Sequence, residues 1–310
     1  MRLHHSLDEI RLESAWLTIG VFDGVHNGHR AILVGLAAGA HAASRPAVVV
    51  TFDPHPAAVL RPGAKVRLLT TPAERAALMS EVGIDHVVVQ HFDRAFSMVS
   101  ARDFTRRLKA RTGFERLLVG YDFAMGRDRA GDVPALRELG SELGFDLQVF
   151  EPITNGEAAV SSSRIRRALA GGEVAEAAQM LGRAYAVSGP VVEGAGRGRS
   201  IGIPTANIAV PPEKIVPAAG VYACRAMVEG ENYGAAVNIG VRPTFEADAA
   251  GITVEAHLLD FDADIYNRSV EIAFVEHLRE EQKFPGVEAL VAQIRADILR
   301  AREVLGESIS

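Results

Sequence analysis

Cysteine is almost missing from this 310-residue sequence, and its scarcity excludes two classes of protein. With Cys224 as the single cysteine, the chain can form neither an internal disulfide framework nor a cluster of thiolates around zinc. Cys224 lies in an apolar, strand-like stretch, where we expect a small core residue. A reducing compartment, the cytoplasm, is therefore the expected location.

Long apolar runs and an excess of positive charge are missing as well. No apolar run approaches the roughly 20 residues that a membrane-spanning helix needs, and the N-terminal segment MRLHHSLDEIRLES has no apolar export signal. The 33 Lys and Arg residues against 39 Asp and Glu give a formal net charge of −6. We therefore expect neither a membrane nor nucleic acid as a partner. Small anionic ligands stay possible, because they respond to local fields.

The first half of the chain alternates strand-like and helix-like segments. Strands are predicted over 16–22, 47–52, 86–90, 116–120 and 146–150, with helices over 71–82, 101–112 and 133–143. This alternation predicts a mostly parallel sheet covered by helices.

The first predicted strand leads into a glycine-rich turn, GVFDGVHNGH. We expect the strand to end near Phe22 and a helix to begin near Arg30, so that free N–H groups and the positive end of the helix face an anion. His26 and His29 are three residues apart, a spacing that allows both imidazoles to stabilise negative charge at one point. Such a pair also occurs on ordinary surfaces or as metal ligands, but the strand and the glycines favour a phosphate site.

Polar residues follow the other predicted strands too. Asp53 and His55 come after the second strand, Asp93 after the third and Asp122 after the fourth. Ligands of open α/β sheets bind beyond the carboxyl ends of the strands. We therefore expect these four side chains at one edge of the sheet.

Three serines precede three arginines in the segment SSSRIRR at 161–167. Serines are common helix N-caps, so a capped helix is one interpretation. Arginine in a first helical turn opposes the helix dipole, however, and a phosphate bound by Arg164 or Arg166 would explain it.

Beyond a boundary near residue 185, marked by glycines and proline, strand signals dominate. Strands are predicted over 186–193, 220–229, 233–239, 253–261 and 269–275, followed by a closing helix from about Gly286. This pattern predicts an antiparallel β module, in the form of a barrel. The apolar residues of the helix predict a core-facing stripe, formed by Val287, Leu290, Val291, Ile294, Ile298 and Leu299.

Two segments of the β module carry possible chemistry. The loop GAGRGRSIGIPTAN at 194–207 does not match a P-loop, but its glycines could bind phosphate through backbone N–H groups. Thr205 and Asn207 offer neutral oxygens that suit Mg²⁺. Alternation over 252–259 places Glu255 and His257 on one strand face, where Glu255 is either a general base or an ordinary exposed glutamate.

The ordered set of motifs resembles the prokaryotic bifunctional riboflavin kinase/FMN adenylyltransferase family, also called FAD synthetase. The first half carries TIGVFDGVHNGH, VTFDPHP, VGYDFAMG and VSSSRIR, and the second half carries GRSIGIPTANI, GVYAC, NIGVRPTF, VEAHLLDF and LREEQKF. The resemblance implies a Rossmann-like adenylyltransferase domain over 1–185 and a β-barrel kinase domain over 186–310. Two alternatives are a nucleotidyltransferase for another cofactor and a non-catalytic flavin-binding regulator.

The resemblance also implies two successive reactions with ATP, from riboflavin to FMN and from FMN to FAD with release of pyrophosphate. It implies His26, His29 and Glu255 as catalytic residues, with Mg²⁺ held by Thr205 and Asn207. The implied adenylyltransferase residues for ATP are Gly20, Phe22, Asp23, Gly24, His26, Gly28, His29, Ser162, Arg164 and Arg166, and those for FMN are Asp53, His55, Asp93 and Asp122. The implied kinase residues for ATP are Gly196, Gly198, Arg199, Gly202, Thr205 and Asn207, and those for riboflavin are Glu255, Arg279 and Phe284. The oligomeric state is left open between a monomer and a transient oligomer.

Overall fold

The computed structural model describes residues 1–61, 63, 66–156, 158–194, 198, 201–242 and 251–306, with the backbone alone for 241 and 242. The chain divides into two compact units, Met1–Ser162 and Ser163–Ser310. Among the described residues, no helix is long and apolar enough to cross a membrane.

The first unit is built on a six-stranded, fully parallel sheet with the strand order β1-β4-β3-β2-β5-β8. Its elements are β1 (Arg2–His4), β2 (Trp16–Ile19), α1 (Asn27–Ala42), β3 (Ala47–Asp53), α2 (Pro56–Leu60), α3 (Pro72–Glu81), β4 (His86–His91), α4 (Arg94–Ser97), α5 (Ala101–Thr112), β5 (Arg116–Gly120), β6 (Ala124–Met125), β7 (Gly131–Asp132), α6 (Val133–Leu143), β8 (Asp146–Phe150), β9 (Thr154–Asn155) and β10 (Ala158–Ala159).

Helices cover both faces of this sheet, as the sequence predicts. One apolar layer contains Phe104 of α5 and Leu136 of α6, and the other contains Leu36 of α1 and Met79 of α3. The central strands are buried on both faces, which explains their nearly continuous apolar sequences. The predicted parallel sheet covered by helices is confirmed.

Two glycines allow α1 to lie very close to the sheet. A Cβ atom on Gly39 would lie 2.2 Å from Cζ3 of Trp16, and one on Gly35 would lie 2.7 Å from Cζ of Phe150. The guanidinium carbon of Arg116 lies 4.3 Å from the centre of the Trp16 ring, which limits the movement of the indole. This packing fixes the direction of α1 and therefore the position of its N-terminus at the end of β2.

The second unit is a closed antiparallel barrel with flanking helices, and its strand order is β11-β12-β15-β14-β13-β16. Its elements are α7 (Ser162–Ala170), α8 (Val174–Leu181), β11 (Tyr185–Val192), β12 (Ala206–Ile208), β13 (Gly220–Val228), β14 (Glu231–Arg242), β15 (Gly251–Leu258), β16 (Ser269–Arg279) and α9 (Val287–Leu305). The predicted barrel with a closing helix is confirmed. Helix α8 packs against β11 and β16, so it belongs with the barrel in this structure.

The predicted core stripe of the closing helix is partly wrong. Val287 is 62% exposed and Leu299 is 47% exposed, whereas Ala301 and Leu305 are buried. The buried residues of α9 are Asp297, Ala301 and Leu305, four positions apart in the C-terminal half, and Leu299 lies off that line. The apolar residues of the N-terminal half are at most partly buried.

We predict that Gly39→Ala lowers the stability of the first unit by about 1–3 kcal/mol, because the added methyl group overpacks the contact with Trp16. The cost of overpacking should exceed the gain of about 1 kcal/mol that alanine brings in helix propensity over glycine. Trp16 is the single tryptophan of the chain, so its fluorescence during denaturant unfolding reports on this unit. Val34→Ala, at an exposed position of the same helix, should change stability by less than about 0.5 kcal/mol. A Gly39→Ala midpoint at or above that of the wild type would contradict the packing described.

Candidate active sites

The turn between β2 and α1 lies three residues earlier in the chain than the sequence predicts. Strand β2 ends at Ile19 rather than near Phe22, and α1 begins at Asn27 rather than near Arg30. Phe22 and Val25 have positive φ angles of 51° and 40°, which no continuing strand or helix allows. The turn therefore has the expected length but lies three residues earlier in the chain, and its backbone is strained at two non-glycine residues.

The glycines of this turn are required by close contacts or by backbone conformation. A Cβ atom on Gly20 would lie 2.9 Å from Cε2 of Phe22, and one on Gly28 would lie 3.2 Å from Cε1 of His26. Gly24 has a φ of 83°, in the left-handed region that favours glycine. Substituting any of the three would move the backbone that carries the histidines.

The structure brings His26 and His29 together. Their rings stack with centroids 3.6 Å apart and an angle of 18° between the ring planes. His26 is buried and caps α1, because its Nδ1 accepts the backbone N–H of His29 at 3.4 Å. The ring of Phe22 meets His29 edge-on at 5.1 Å. Two imidazoles therefore lie side by side at the N-terminus of α1.

His29 is held in its neutral form. Its Nδ1 atom is buried and has no hydrogen-bond partner among the described residues. Burial, followed by the nearby charges of His26 and Arg75, lowers the pKa of His29 well below its usual value. A neutral imidazole donates from one ring nitrogen only. His29 would therefore stabilise a phosphate as a hydrogen-bond donor rather than as a cation.

Asp23 fastens the turn to the segment before α3. Its buried carboxylate accepts the backbone N–H groups of Leu69 and Thr70 at 3.0 and 2.9 Å and the Thr70 hydroxyl at 3.2 Å. The Gly24 N–H donates to Thr70 Oγ1 at 2.9 Å, and the Ser162 hydroxyl donates to the Asp23 carbonyl at 2.9 Å. These bonds support the shape of the turn, and contact of Asp23 or Ser162 with ATP stays a prediction.

The four residues predicted to lie near FMN all follow the carboxyl ends of parallel strands. Asp53 ends β3 and His55 follows it, Asp93 follows the neighbouring β4, and Asp122 follows β5, which β2 separates from β3, so all four lie at one edge of the sheet. Nδ1 of His55 and the Asp93 carboxylate each accept a backbone N–H, at 3.0 and 2.6 Å, as caps of short helices. Asp122 is exposed. Binding of FMN by these residues stays a prediction.

Arg164 and Arg166 lie on α7, in the second compact unit. The guanidinium of Arg164 forms an ion pair with Glu176 of α8, at 3.4 Å between Nη2 and Oε1. Their binding of ATP phosphates stays a prediction.

Three polar residues, one on each of three adjacent barrel strands, form a row. Asn207 of β12 lies directly opposite Glu255 of β15, which lies opposite Asn238 of β14. Directly paired residues project from the same face of a sheet, with Cβ atoms about 4.5–5.5 Å apart. Because the flanking Val254 and Ala256 are buried, this row lies on the outer face of the barrel wall.

The second unit also contains a cavity of about 420 Å³. Gly202, Thr205 and the loop over 261–266 line it. Ala206 and Ala256 line it too, and by alternation this pair projects from the opposite face of the wall to Asn207 and Glu255. A volume of this size is typical of small-molecule pockets.

Glycines allow the backbone to approach Thr205 and Asn207 closely. A Cβ atom on Gly198 would lie 3.0 Å from Thr205 Oγ1, and one on Gly194 would lie 2.1 Å from Nδ2 of Asn207. The predicted ATP-binding residues Gly196 and Arg199 lie outside the described residues.

Arg279, predicted to bind riboflavin, ties the end of β16 to α9. Its Nε and Nη2 atoms donate to the carboxylate of the buried Asp297 at 2.9 and 2.7 Å, and Gln293 donates to the same carboxylate at 2.8 Å. The guanidinium carbon lies 5.8 Å from the ring centre of Phe284. Asp297 was not predicted, although its place three residues after Ile294, on the predicted core face, is a usable signal.

A second residue that the sequence did not predict is Arg75 of α3, which is 1% exposed. It donates to the carbonyl of Val21, in the turn that leads to the histidines, at 2.5 Å. An arginine in the middle of an amphipathic helix ordinarily faces solvent, so nothing in the local sequence marks it as buried.

The donor atoms of the barrel site suit Mg²⁺. The described residues contain no cluster of three or more His, Cys, Asp or Glu side chains that could hold a metal. The Thr205 hydroxyl, the Asn207 amide oxygen and the Glu255 carboxylate are instead hard oxygen donors, which Mg²⁺ prefers alongside water and substrate phosphates.

Comparison with known proteins agrees with both units. The model of the riboflavin kinase family matches residues 181–305, and that of the FAD synthetase family matches residues 8–164. Over 306 residues the chain is 38% identical to the bifunctional riboflavin kinase/FMN adenylyltransferase of Escherichia coli (strain K12), covering 97% of this chain and 96% of that protein. It is 36% identical to the protein of that name from Listeria monocytogenes, covering 95% and 94% of the two chains.

A crystal structure described as a macrolide-efflux protein from Streptococcus pneumoniae superposes with a TM-score of 0.89 at 28% identity, covering 97% of this chain and 98% of that one. This fold, the two family models and the curated relatives agree over nearly the whole length. The chain belongs to the family of bifunctional riboflavin kinase/FMN adenylyltransferases.

Proposed function

We propose that two separate sites, one for each reaction of this family, use the residues described above. The enzyme acts in flavin cofactor biosynthesis, converting riboflavin to FMN and FMN to FAD with ATP. The barrel unit carries the kinase and the sheet unit the adenylyltransferase. The riboflavin kinase match argues against a nucleotidyltransferase for another cofactor. The presence of both histidines and of Glu255 argues against a non-catalytic regulator.

The pairing of Glu255 with Asn207 is the observation that supports the kinase site best. The Glu255 carboxylate accepts the proton of the riboflavin 5′-hydroxyl as its oxygen attacks the γ-phosphorus of ATP. The bond between the γ-phosphorus and the bridging oxygen breaks, which leaves FMN and ADP. Thr205 and Asn207 hold Mg²⁺, which neutralises phosphate charge when bound. ATP binds beside Thr205 and Gly202, which also border the cavity.

Arg279 and Phe284 contribute to the riboflavin side of this site. The ion pair with Asp297 fixes Arg279 between β16 and α9, with Phe284 next to it. Two of the three nitrogens of the guanidinium are occupied by Asp297, and Nη1 donates to the carbonyl of Glu280 at 2.9 Å. Arg279 therefore acts mainly by holding the end of β16 and the middle of α9 in place around riboflavin.

The stacked histidines support the adenylyltransferase site. A phosphate oxygen of FMN attacks the α-phosphorus of a second ATP, the bond to the bridging oxygen breaks, and pyrophosphate leaves. No protein nucleophile is needed, because such chemistry depends on positioning and charge stabilisation. His29 and His26 donate hydrogen bonds to the α-phosphate and the leaving pyrophosphate. Arg164 and Arg166 bind phosphates of ATP, and Asp122 orients FMN.

The same proposal includes domain limits of 1–185 for the adenylyltransferase and 186–310 for the kinase. It also includes a cytoplasmic location, where riboflavin and ATP are both available to the enzyme.

We predict that His29→Ala lowers the rate of FAD formation from FMN by about 100-fold or more, because it removes a charge-stabilising donor. Formation of FMN from riboflavin should stay at the wild-type rate, since the kinase residues lie in the other unit. Chromatography of flavins from separate assays with riboflavin and with FMN measures both rates. His5→Ala, at an exposed histidine, is the matched control and should leave both rates unchanged. Parallel loss of both activities in a folded His29→Ala protein would refute the separate sites.

Glu255→Gln should have the opposite effect, because the amide cannot accept the hydroxyl proton. We expect FMN formation to fall by about 100-fold or more while FAD formation from supplied FMN continues. Glu271→Gln, at an exposed glutamate of β16, is the matched control. A Glu255→Gln enzyme that phosphorylates riboflavin at the wild-type rate would exclude Glu255 as the base.

A further inference from the structure

One buried side chain joins the ends of two neighbouring strands at the adenylyltransferase site. Nη1 of Arg75 donates to the Val21 carbonyl at 2.5 Å and to Thr51 Oγ1 at 3.1 Å, and Nη2 donates to the Phe52 carbonyl at 3.4 Å. Val21 begins the turn that carries the histidines, whereas Thr51 and Phe52 lie near the carboxyl end of β3. The Thr51 hydroxyl also donates to the Val21 carbonyl, at 2.9 Å. A single guanidinium therefore fixes the turn against β3.

The charge of Arg75 is not neutralised by a direct ion pair. Among the described residues, no carboxylate lies within ion-pair distance of its guanidinium, and its buried Nε has no hydrogen-bond partner. The nearby carboxylates of Asp23 and Asp53 raise the pKa of Arg75, but burial, which lowers it, is the larger effect. Burying a cation without a paired anion costs several kcal/mol. Such a cost is understandable where an anion binds, and phosphates are the substrates of this site.

The same charge acts on the histidine pair. Arg75 is close enough to lower the pKa of His29, together with burial and the neighbouring His26. The buried nitrogens without a partner, Nδ1 of His29 and Nε of Arg75, thus belong to the same region of the first unit. His26 and Arg75 are the charged groups that act on His29, and Asp23 and Asp53 are those that act on Arg75.

We propose that Arg75 is a positioning residue for adenylyl transfer, which fixes the histidine-bearing turn against the end of β3 and supplies a permanent positive charge toward the phosphates of ATP. This inference rests on the proposed adenylyltransferase function of the first unit. Arg75 acts through the turn and through its field, without direct contact with the reacting atoms. Because its guanidinium loses no proton at physiological pH, its charge is constant while His29 stays available as a neutral donor.

Arg75→Gln and Arg75→Lys separate the charge of this residue from its hydrogen bonds. Gln removes the charge but retains an amide donor, whereas Lys retains the charge but lacks the planar fork. We expect Arg75→Gln to lower kcat for FAD formation at least about tenfold through misplacement and lost charge, and to raise the KM for ATP. Arg75→Lys should retain more activity than Arg75→Gln. Arg45→Gln, at a surface arginine of the same unit, is the matched control.

The imidazole NMR signals of His29, followed as a function of pH, give a readout that a merely structural residue would not change. In the wild type and in Arg75→Lys, His29 should stay neutral as the pH falls through about 6.5, the ordinary histidine pKa. In Arg75→Gln the pKa of His29 should move toward that value, because one of the charges that oppose protonation is gone.

The lowered pKa of His29 also affects stability. Unfolded His29 binds a proton that the folded form does not, so the wild-type first unit should lose stability as the pH falls below about 6.5.

Kinase activity measured in the same samples controls for folding of the second unit. Unchanged kcat, ATP KM and His29 titration in Arg75→Gln would overturn the role of Arg75 while leaving the proposed function intact. If Arg75→Gln does not fold, Arg75→Lys decides: a kcat for FAD formation below that of the wild type, with kinase activity unchanged, supports the positioning role, and wild-type kcat and ATP KM overturn it. A wild-type protein that forms no FAD from FMN would instead overturn the proposed function itself.

Discussion

A buried carboxylate and a buried guanidinium together hold the turn between β2 and α1, and the adenylyltransferase site depends on that turn. Left-handed backbone at Phe22 and Val25 costs about 1–2 kcal/mol per residue. The hydrogen bonds of Asp23 to Leu69 and Thr70 and those of Arg75 offset this cost. Without them, the chain could continue β2 in extended form, and His26 would lose its place as the cap of α1.

In the barrel unit, strand register rather than a strained turn fixes the position of the proposed base, Glu255. Because side chains alternate across a strand, slipping β15 by one residue would move Glu255 into the apolar interior and replace it outside with Val254 or Ala256. Closure of the barrel excludes such a slip, since each of its strands has a partner on both sides. A rigid wall therefore carries the base, and Gly194 and Gly198, both before β12, let the backbone come close to Asn207 and Thr205.

The sequence predicts elements well where one pattern decides them. The predicted strands 116–120 and 146–150 and the predicted helices 101–112 and 133–143 coincide with β5, β8, α5 and α6. Local patterns also identify the histidine turn, because glycines and histidines between a strand and a helix are typical of a phosphate-binding site. The position of that turn differs by three residues from the predicted one, since hydrogen bonds from a distant segment, around Leu69 and Thr70, stabilise its left-handed residues.

Other features depend on contacts that no local pattern contains. Arg75 and Asp297 are charged residues within helices, where solvent exposure is the ordinary outcome, and only the tertiary fold buries them. The exposed Val287 and Leu299 show the converse, because an apolar stripe is buried only as far as a neighbouring surface extends. The pairing of Asn207 with Glu255 joins segments almost fifty positions apart in the chain, and alternation alone fixes the face of a residue but not its partner.

The most direct test of two consecutive reactions on one chain is the stoichiometry of the wild-type enzyme supplied with riboflavin, ATP and Mg²⁺. Flavins, ADP and pyrophosphate are quantified over time by chromatography and a coupled assay. The account predicts that FMN rises and then falls as FAD accumulates, with one ADP for each riboflavin consumed and one pyrophosphate for each FAD formed. Riboflavin that stays unchanged, or FAD formed without an equal amount of pyrophosphate, would contradict it.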